Sequence, residues 1–217
     1  MNTFAEVGKD LDKATLAAIK PNESFEFGTD YIQFFDAQGG NAGRYTYIPE
    51  SPEEGFPAGW YDYVKLQDNI LDCQNEKILP FGGMIMFYAL SSTSLANTYS
   101  GEVVQGAKTL KMAKGKNWVG NACPVKKTLI DFVPGDNFEF GTDYIQFFDP
   151  QGGNAGRYTY IPESPEEGFP AGWYDYVKLQ DNVLDCQNEK NVDPGTGFMF
   201  YNLSASAGID LTVPSAL

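Results

Sequence analysis

Carboxylates and aromatic rings are the side chains of this chain that could do chemistry, and most of them occur twice. Asp30, Asp36, Glu50, Glu53, Glu54 and Asp62 recur 113 positions later as Asp143, Asp149, Glu163, Glu166, Glu167 and Asp175. Two carboxylates a few ångströms apart can hydrolyse a glycosidic bond. Any acidic β protein offers such pairs, however, and two identical active sites in one chain would be unusual. No catalytic residue is assigned, and a protein without enzymatic activity is expected. Histidine is absent. That removes the commonest general base near neutral pH and the commonest metal ligand, and with them Ser-His-Asp, Cys-His and histidine-zinc sites.

The aromatics suggest a ligand instead. Tyr45, Tyr47, Trp60 and Tyr61, with Tyr158, Tyr160, Trp173 and Tyr174 in the second copy, could stack sugars. At period-two spacing such rings more often belong to a core or an interface. Asp36 and Asn41, repeated as Asp149 and Asn154, flank a Gly-rich loop whose oxygens would suit calcium. The loop lacks the DxDxDG spacing, and a plain hairpin turn is the simpler reading; no other cofactor is expected. Among Cys73, Cys123 and Cys186, a Cys123–Cys186 disulfide within the second copy would leave Cys73 free. Three reduced thiols are the other reading.

The elements that must position these residues are themselves written twice. Phe25 to Lys77 reappears as Phe138 to Lys190 with two differences, Ala37 against Pro150 and Ile70 against Val183. The period is that of a small domain rather than of a solenoid repeat. The expected architecture is all-β: two tandem β-sandwich domains from an internal duplication, spanning residues 1–98 and 99–217. Within the block, Asp30 to Phe35 and Arg44 to Ile48 read as strands around a Gly-rich turn. Pro49 to Gly59 reads as a loop. Trp60 to Leu66 alternates like a further strand, and Met84 to Leu90 reads as a strand buried on both faces. Thr15 to Ile19 and Thr128 to Phe132 suggest a short helical turn. The linker is expected near Ala96 to Gly101.

Charge narrows the partners. The chain carries 29 acidic and 15 basic residues, a net charge of −14. Phosphate binding needs clustered Lys and Arg, so nucleic acid is not expected, and an anionic membrane would repel the chain. No apolar stretch reaches the length of a membrane span. Met1 to Val7 lacks the basic and apolar regions of a signal peptide.

The second copy also carries a progression of motifs. Trp118-Val119-Gly120-Asn121 is followed by Asp143-Tyr144-Ile145-Gln146-Phe147-Phe148-Asp149, then Tyr158-Thr159-Tyr160, then Pro194-Gly195-Thr196-Gly197-Phe198. In these it resembles an uncharacterised β-rich repeat domain of secreted and surface proteins of bacteria. The resemblance covers the second domain fully and the first from about Val7. It implies an extracellular or cell-surface location and carries over no catalytic residues. Ala122-Cys123 displaces the usual proline, and the first copy departs further, with Val7-Gly8-Lys9-Asp10 and Pro80-Phe81-Gly82-Gly83.

The copies agree in the middle and differ at their starts. Aligning Val7-Gly8 with Val119-Gly120 leaves the first domain without counterparts of the strands expected at Glu102 to Val104 and Lys108 to Ala113. Three explanations stay open: a longer parent chain, a domain that manages without those strands, or a strand donated by a neighbour. Near-identical domains, abundant aromatics and an incomplete first domain point to a structural protein that associates with itself, in a filament or surface layer. The alternative is a carbohydrate-binding or adhesion module with two equivalent sites.

Overall fold

The computed structural model describes residues 2–3, 15–35, 40–51, 53, 55–79, 84–91, 97–98, 106–121, 125–149, 151–164 and 169–214. The strands of the first half are β1 (Asn2–Thr3), β2 (Lys20–Pro21), β3 (Tyr31–Phe35), β4 (Asn41–Ile48), β5 (Gly59–Asp62), β6 (Met84–Tyr88) and β7 (Asn97–Thr98), with one helix, α1 (Tyr63–Gln67). The second half contains β8 (Lys108–Met112), β9 (Gly115–Gly120), β10 (Lys127–Thr128), β11 (Val133–Pro134), β12 (Tyr144–Phe148) and β13 (Asn154–Ile161). It continues with β14 (Gly172–Asp175), α2 (Tyr176–Gln180), β15 (Asn191–Val192), β16 (Gly197–Asn202) and β17 (Ile209–Val213). The fold is all-β and sandwich-like. Among the described residues no helix is long and apolar enough to cross a membrane.

Each half has a five-stranded antiparallel sheet, in the order β1-β6-β3-β4-β5 in the first and β14-β13-β12-β16-β9 in the second. Period-two alternation explains which side chains enter the core. Ile32 and Phe34 of β3 meet Tyr45 of β4 and Trp60 of β5; their counterparts Ile145, Phe147, Tyr158 and Trp173 do the same. In the second half a three-stranded sheet, β11-β17-β8, closes over this face. Met112, Ile209, Leu211 and Val213 from it pack with Val119, Phe198 and Phe200. β3 and β4 shift register between Phe34 and Phe35, opposite Gly43. Gly43 has φ 144°, and the Tyr45 ring lies where its Cβ would be, so only glycine fits there.

Three local expectations change. The run expected to be buried on both faces ends as a strand at Tyr88, with Ile85 buried, Met86 to Tyr88 half-buried and Leu90 exposed. The alternating run after Trp60 leaves the sheet at Asp62, whose Oδ1 accepts from the backbone N–H groups of Val64 and Lys65, each at 3.0 Å. This N-cap satisfies the first free donors of α1 and turns a strand-like pattern into a helix. Asp175 caps α2 in the same way. Asn97–Thr98, in the region expected to be linker, is strand β7 and pairs with β2. Single 3-10 turns at Leu16–Ala18 and Leu129–Asp131 match the expected helical turns.

A buried carboxylate ties each large sheet together. Asp30 immediately precedes β3 and is fully buried. Its Oδ1 accepts from the N–H of Leu90 at 2.7 Å and of Ser91 at 2.9 Å, just beyond β6. Its Oδ2 accepts from Glu26 N–H at 2.8 Å and from the Ser91 hydroxyl. Asp143 binds Glu139, Leu203 and Ser204 in the same pattern. Burial alone would push the Asp30 carboxyl up, but these hydrogen bonds together outweigh it and hold the pKa below the ordinary 3.8. Each Trp is anchored as well: Trp60 Nε1 donates to Ile19 O at 3.0 Å and Trp173 Nε1 to Phe132 O at 2.8 Å.

Replacing either Asp30 or Asp143 by Ala removes four hydrogen bonds made to a fully buried carboxylate, which predicts a loss of about 3 kcal/mol in urea unfolding. A native-state pKa below the unfolded value adds stability that is present above pH 3.8 and lost as the pH falls through the folded value. The urea midpoint should therefore drop on acidification below about pH 4, and Asp30→Asn should lose part of that dependence.

Candidate interaction surface

Most of the candidate sugar-stacking residues are core residues. Tyr45, Trp60 and Tyr61 are buried, as are Tyr158, Trp173 and Tyr174. Trp60 packs edge-on against Tyr47 at 5.3 Å and Phe25 at 5.5 Å, and Trp173 meets Tyr160 and Phe138 at 5.4 and 5.7 Å. The hydroxyls of Tyr61 and Tyr174 donate to Pro57 O and Pro170 O at 3.0 and 2.9 Å. With rings packed and polar tips occupied, these residues give no open platform. Tyr47 and Tyr160 are half-buried, and they differ. Lys20 lies over the Tyr47 ring at 6.0 Å, whereas Tyr160 lines a cavity of about 420 Å³ with Phe138, Asp136 and Glu163.

The polar candidates hold backbone. Asp149 Oδ1 accepts from the N–H of Gln151 at 2.9 Å and of Gly153 at 2.7 Å. Asn41 and Asn154 accept from Gly43 and Gly156 at 2.9 and 3.0 Å. These bonds fold the hairpin loops on themselves, and Asp36 lies outside the described residues. Among the described residues no three Cys, Asp or Glu side chains cluster as a metal site. Cys73 and Cys186 are exposed free thiols beside Tyr61 and Tyr174. Cys123 lies outside the described residues. Of the carboxylates considered for acid–base chemistry, Asp30 and Asp143 tie the sheets, and Asp62 and Asp175 cap helices. Glu50, Glu53 and Glu163 are exposed, while Glu54, Glu166 and Glu167 lie outside the described residues.

The two halves differ at their edges. In the second half, Gly197 to Asn202 of β16 pair along their whole length with Gly120 to Gly115 of β9. In the first, Met84 and Ile85 of β6 pair with Thr3 and Asn2 of β1. Among the described residues, Met86 to Tyr88 pair with β3 alone. Register identifies the counterparts: Asn2 stands opposite Ile85 as Val119 stands opposite Phe198. Asn2–Thr3, rather than Val7–Gly8, thus takes the position of Val119–Gly120; Val7 and Gly8 lie outside the described residues. β17 is flanked by both β11 and β8, whereas β7 is flanked by β2. Among the described residues, the first half has no counterpart of β8.

Two features escape the sequence reading. Trp118, on edge strand β9, lies between Phe35 of the first half at 4.6 Å and Phe148 of the second at 5.4 Å. It joins the halves, and among the described residues its Nε1 is buried without a hydrogen-bond partner. Nothing in the sequence marks this contact, because it depends on how the sheets meet. The second feature was visible: Lys108, Lys111, Lys114, Lys116, Lys126 and Lys127 occur in a stretch without one carboxylate, in a chain of charge −14. Lysine on an edge strand discourages indiscriminate strand pairing.

Trp118→Ala removes the ring that bridges Phe35 and Phe148, and should cost about 2 kcal/mol in thermal or urea unfolding. Trp118→Phe keeps the ring contact and removes an N–H that makes no bond, so it should be tolerated far better.

No family model matches the chain, and no curated protein or solved structure matches it.

Proposed function

We propose that this is a structural, self-associating protein of the cell surface or extracellular space, built to join copies of itself into a filament or layer. One observation carries the reading: among the described residues the outer edge of β6 is paired over Met84 and Ile85, whereas the equivalent β16 is paired from Gly197 to Asn202. An unpaired strand edge offers backbone donors and acceptors and invites another strand. Because the core of each half repeats, what distinguishes them is the edge each can offer. Light scattering and electron microscopy over a wide range of protein and calcium concentrations test this. Species larger than a monomer that grow with concentration are expected. A synthetic Lys108–Gly120 peptide, which copies the strands that complete the second half, should cap the edge and suppress growth. A strictly monomeric protein under all conditions would rule the reading out.

A second reading, carbohydrate binding, has one observation in its favour. The partly exposed Tyr160 shares its cavity with Phe138 and two carboxylates, Asp136 and Glu163, a ring-and-acceptor set that suits a sugar hydroxyl face. Lys20 over Tyr47 makes the first half different, so this reading calls for one site rather than two. A glycan array followed by Tyr160→Ala tests it. Binding lost in the variant is the expected result, and an array without hits, or binding that survives the substitution, counts against it.

A further inference from the structure

A second cavity, of about 530 Å³, opens in the first half between the end of β4, the loop that follows, and the end of α1. Phe27, Ile48, Phe56, Leu66 and Leu71 give it apolar walls. Phe27 and Leu71 are each 46% exposed, so water covers apolar surface that an occupant would bury. Glu50 stands between two lining residues, Pro49 and Ser51, and Glu53 follows in the same loop; both are exposed. An apolar cavity bordered by carboxylates, on a chain of charge −14, repels anions. It suits an apolar side chain with a cation next to it.

The chain itself carries such a group. Val125 is 43% exposed; the exposed Lys126 follows it, and then Lys127, the first residue of β10, which is half-buried and stands opposite Val192 of β15. At the corresponding positions, 113 residues earlier, the first half has Asp12 and Ala14 in place of Val125 and Lys127. The knob sequence therefore occurs once, in the second half; the cavity is seen in the first, and the residues that line it recur in sequence 113 positions later, where residues 165–168 lie outside the described residues.

We propose that the first-half cavity receives Val125 of a second copy, with Lys126 and Lys127 set against Glu50 and Glu53. The contact is heterologous: knob and socket are different surfaces, so each copy that docks presents a fresh knob, and the series need not close. It rests on the reading of the protein as self-associating and gives that association a direction, beyond the pairing of strand edges.

Sedimentation velocity on the full chain tests it, with unfolding curves to show that each variant is folded. Wild-type association should weaken as salt is raised. Lys126→Glu with Lys127→Glu should weaken it about tenfold, as should Glu50→Lys with Glu53→Lys, and combining the two pairs should restore it. Val125→Asp should weaken it as well. Association that persists unchanged in both charge-reversed pairs would overturn this contact while leaving self-association intact. A wild type that stays monomeric would overturn both.

Discussion

A buried carboxylate sets the frame of each half. A charge taken out of water is costly unless its oxygens are fully bonded, and Asp30 and Asp143 each accept four hydrogen bonds. The donors come from two distant places: the turn before the first central strand, and the chain just past the last one. Satisfying the carboxylate therefore fixes β3 beside β6, and β12 beside β16. Register then aligns Ile32 with Tyr45 and Phe87, and Ile145 with Tyr158 and Phe200. The buried rings follow, with Trp60 and Trp173 locked by their indole N–H groups. Because the centre of each sheet is pinned this way, differences between the halves fall on the edges.

Those edges give the molecule its polarity. The second half is completed by β8 and β9, which carry lysines, and Trp118 of β9 reaches across to Phe35. The first half holds a two-residue strand in the place of β9 and bears an apolar cavity under an acidic loop. The lysine-bearing strands thus belong to the second half, and among the described residues the shorter pairing of the outer edge belongs to the first, while the acidic loop is common to both. The proposed self-association would draw on these unlike edges, because a heterologous interface needs two different surfaces on one molecule.

Much of the fold was legible in the sequence because the repeat and the two-residue alternation report directly on β structure. The alternation also misled. In Trp60-Tyr61-Asp62-Tyr63-Val64 the period of two continues past the strand, and only the cap formed by Asp62 reveals the helix. Tyr45, Trp60 and their partners have the composition of a sugar platform, but the same composition builds a core, and pattern alone does not say which face is covered. Asp30 resembled a candidate acid. Its role depends on Leu90 and Ser91, sixty positions away in sequence, so no local motif announces it. The mismatch at the domain starts was legible as a missing edge, although the residues that stand in the gap, Asn2 and Thr3, emerge only from register.

Hydrogen exchange at β6 and β16 tests the central claim most directly, since these are equivalent strands in one molecule and differ in what lies beside them. The account predicts that, in dilute protein, amides of Met86 to Tyr88 that point away from β3 exchange faster than their counterparts in Met199 to Tyr201. As protein concentration rises and copies associate, protection in β6 should climb towards that of β16. Equal protection of the two strands at every concentration would contradict an open edge in the first half.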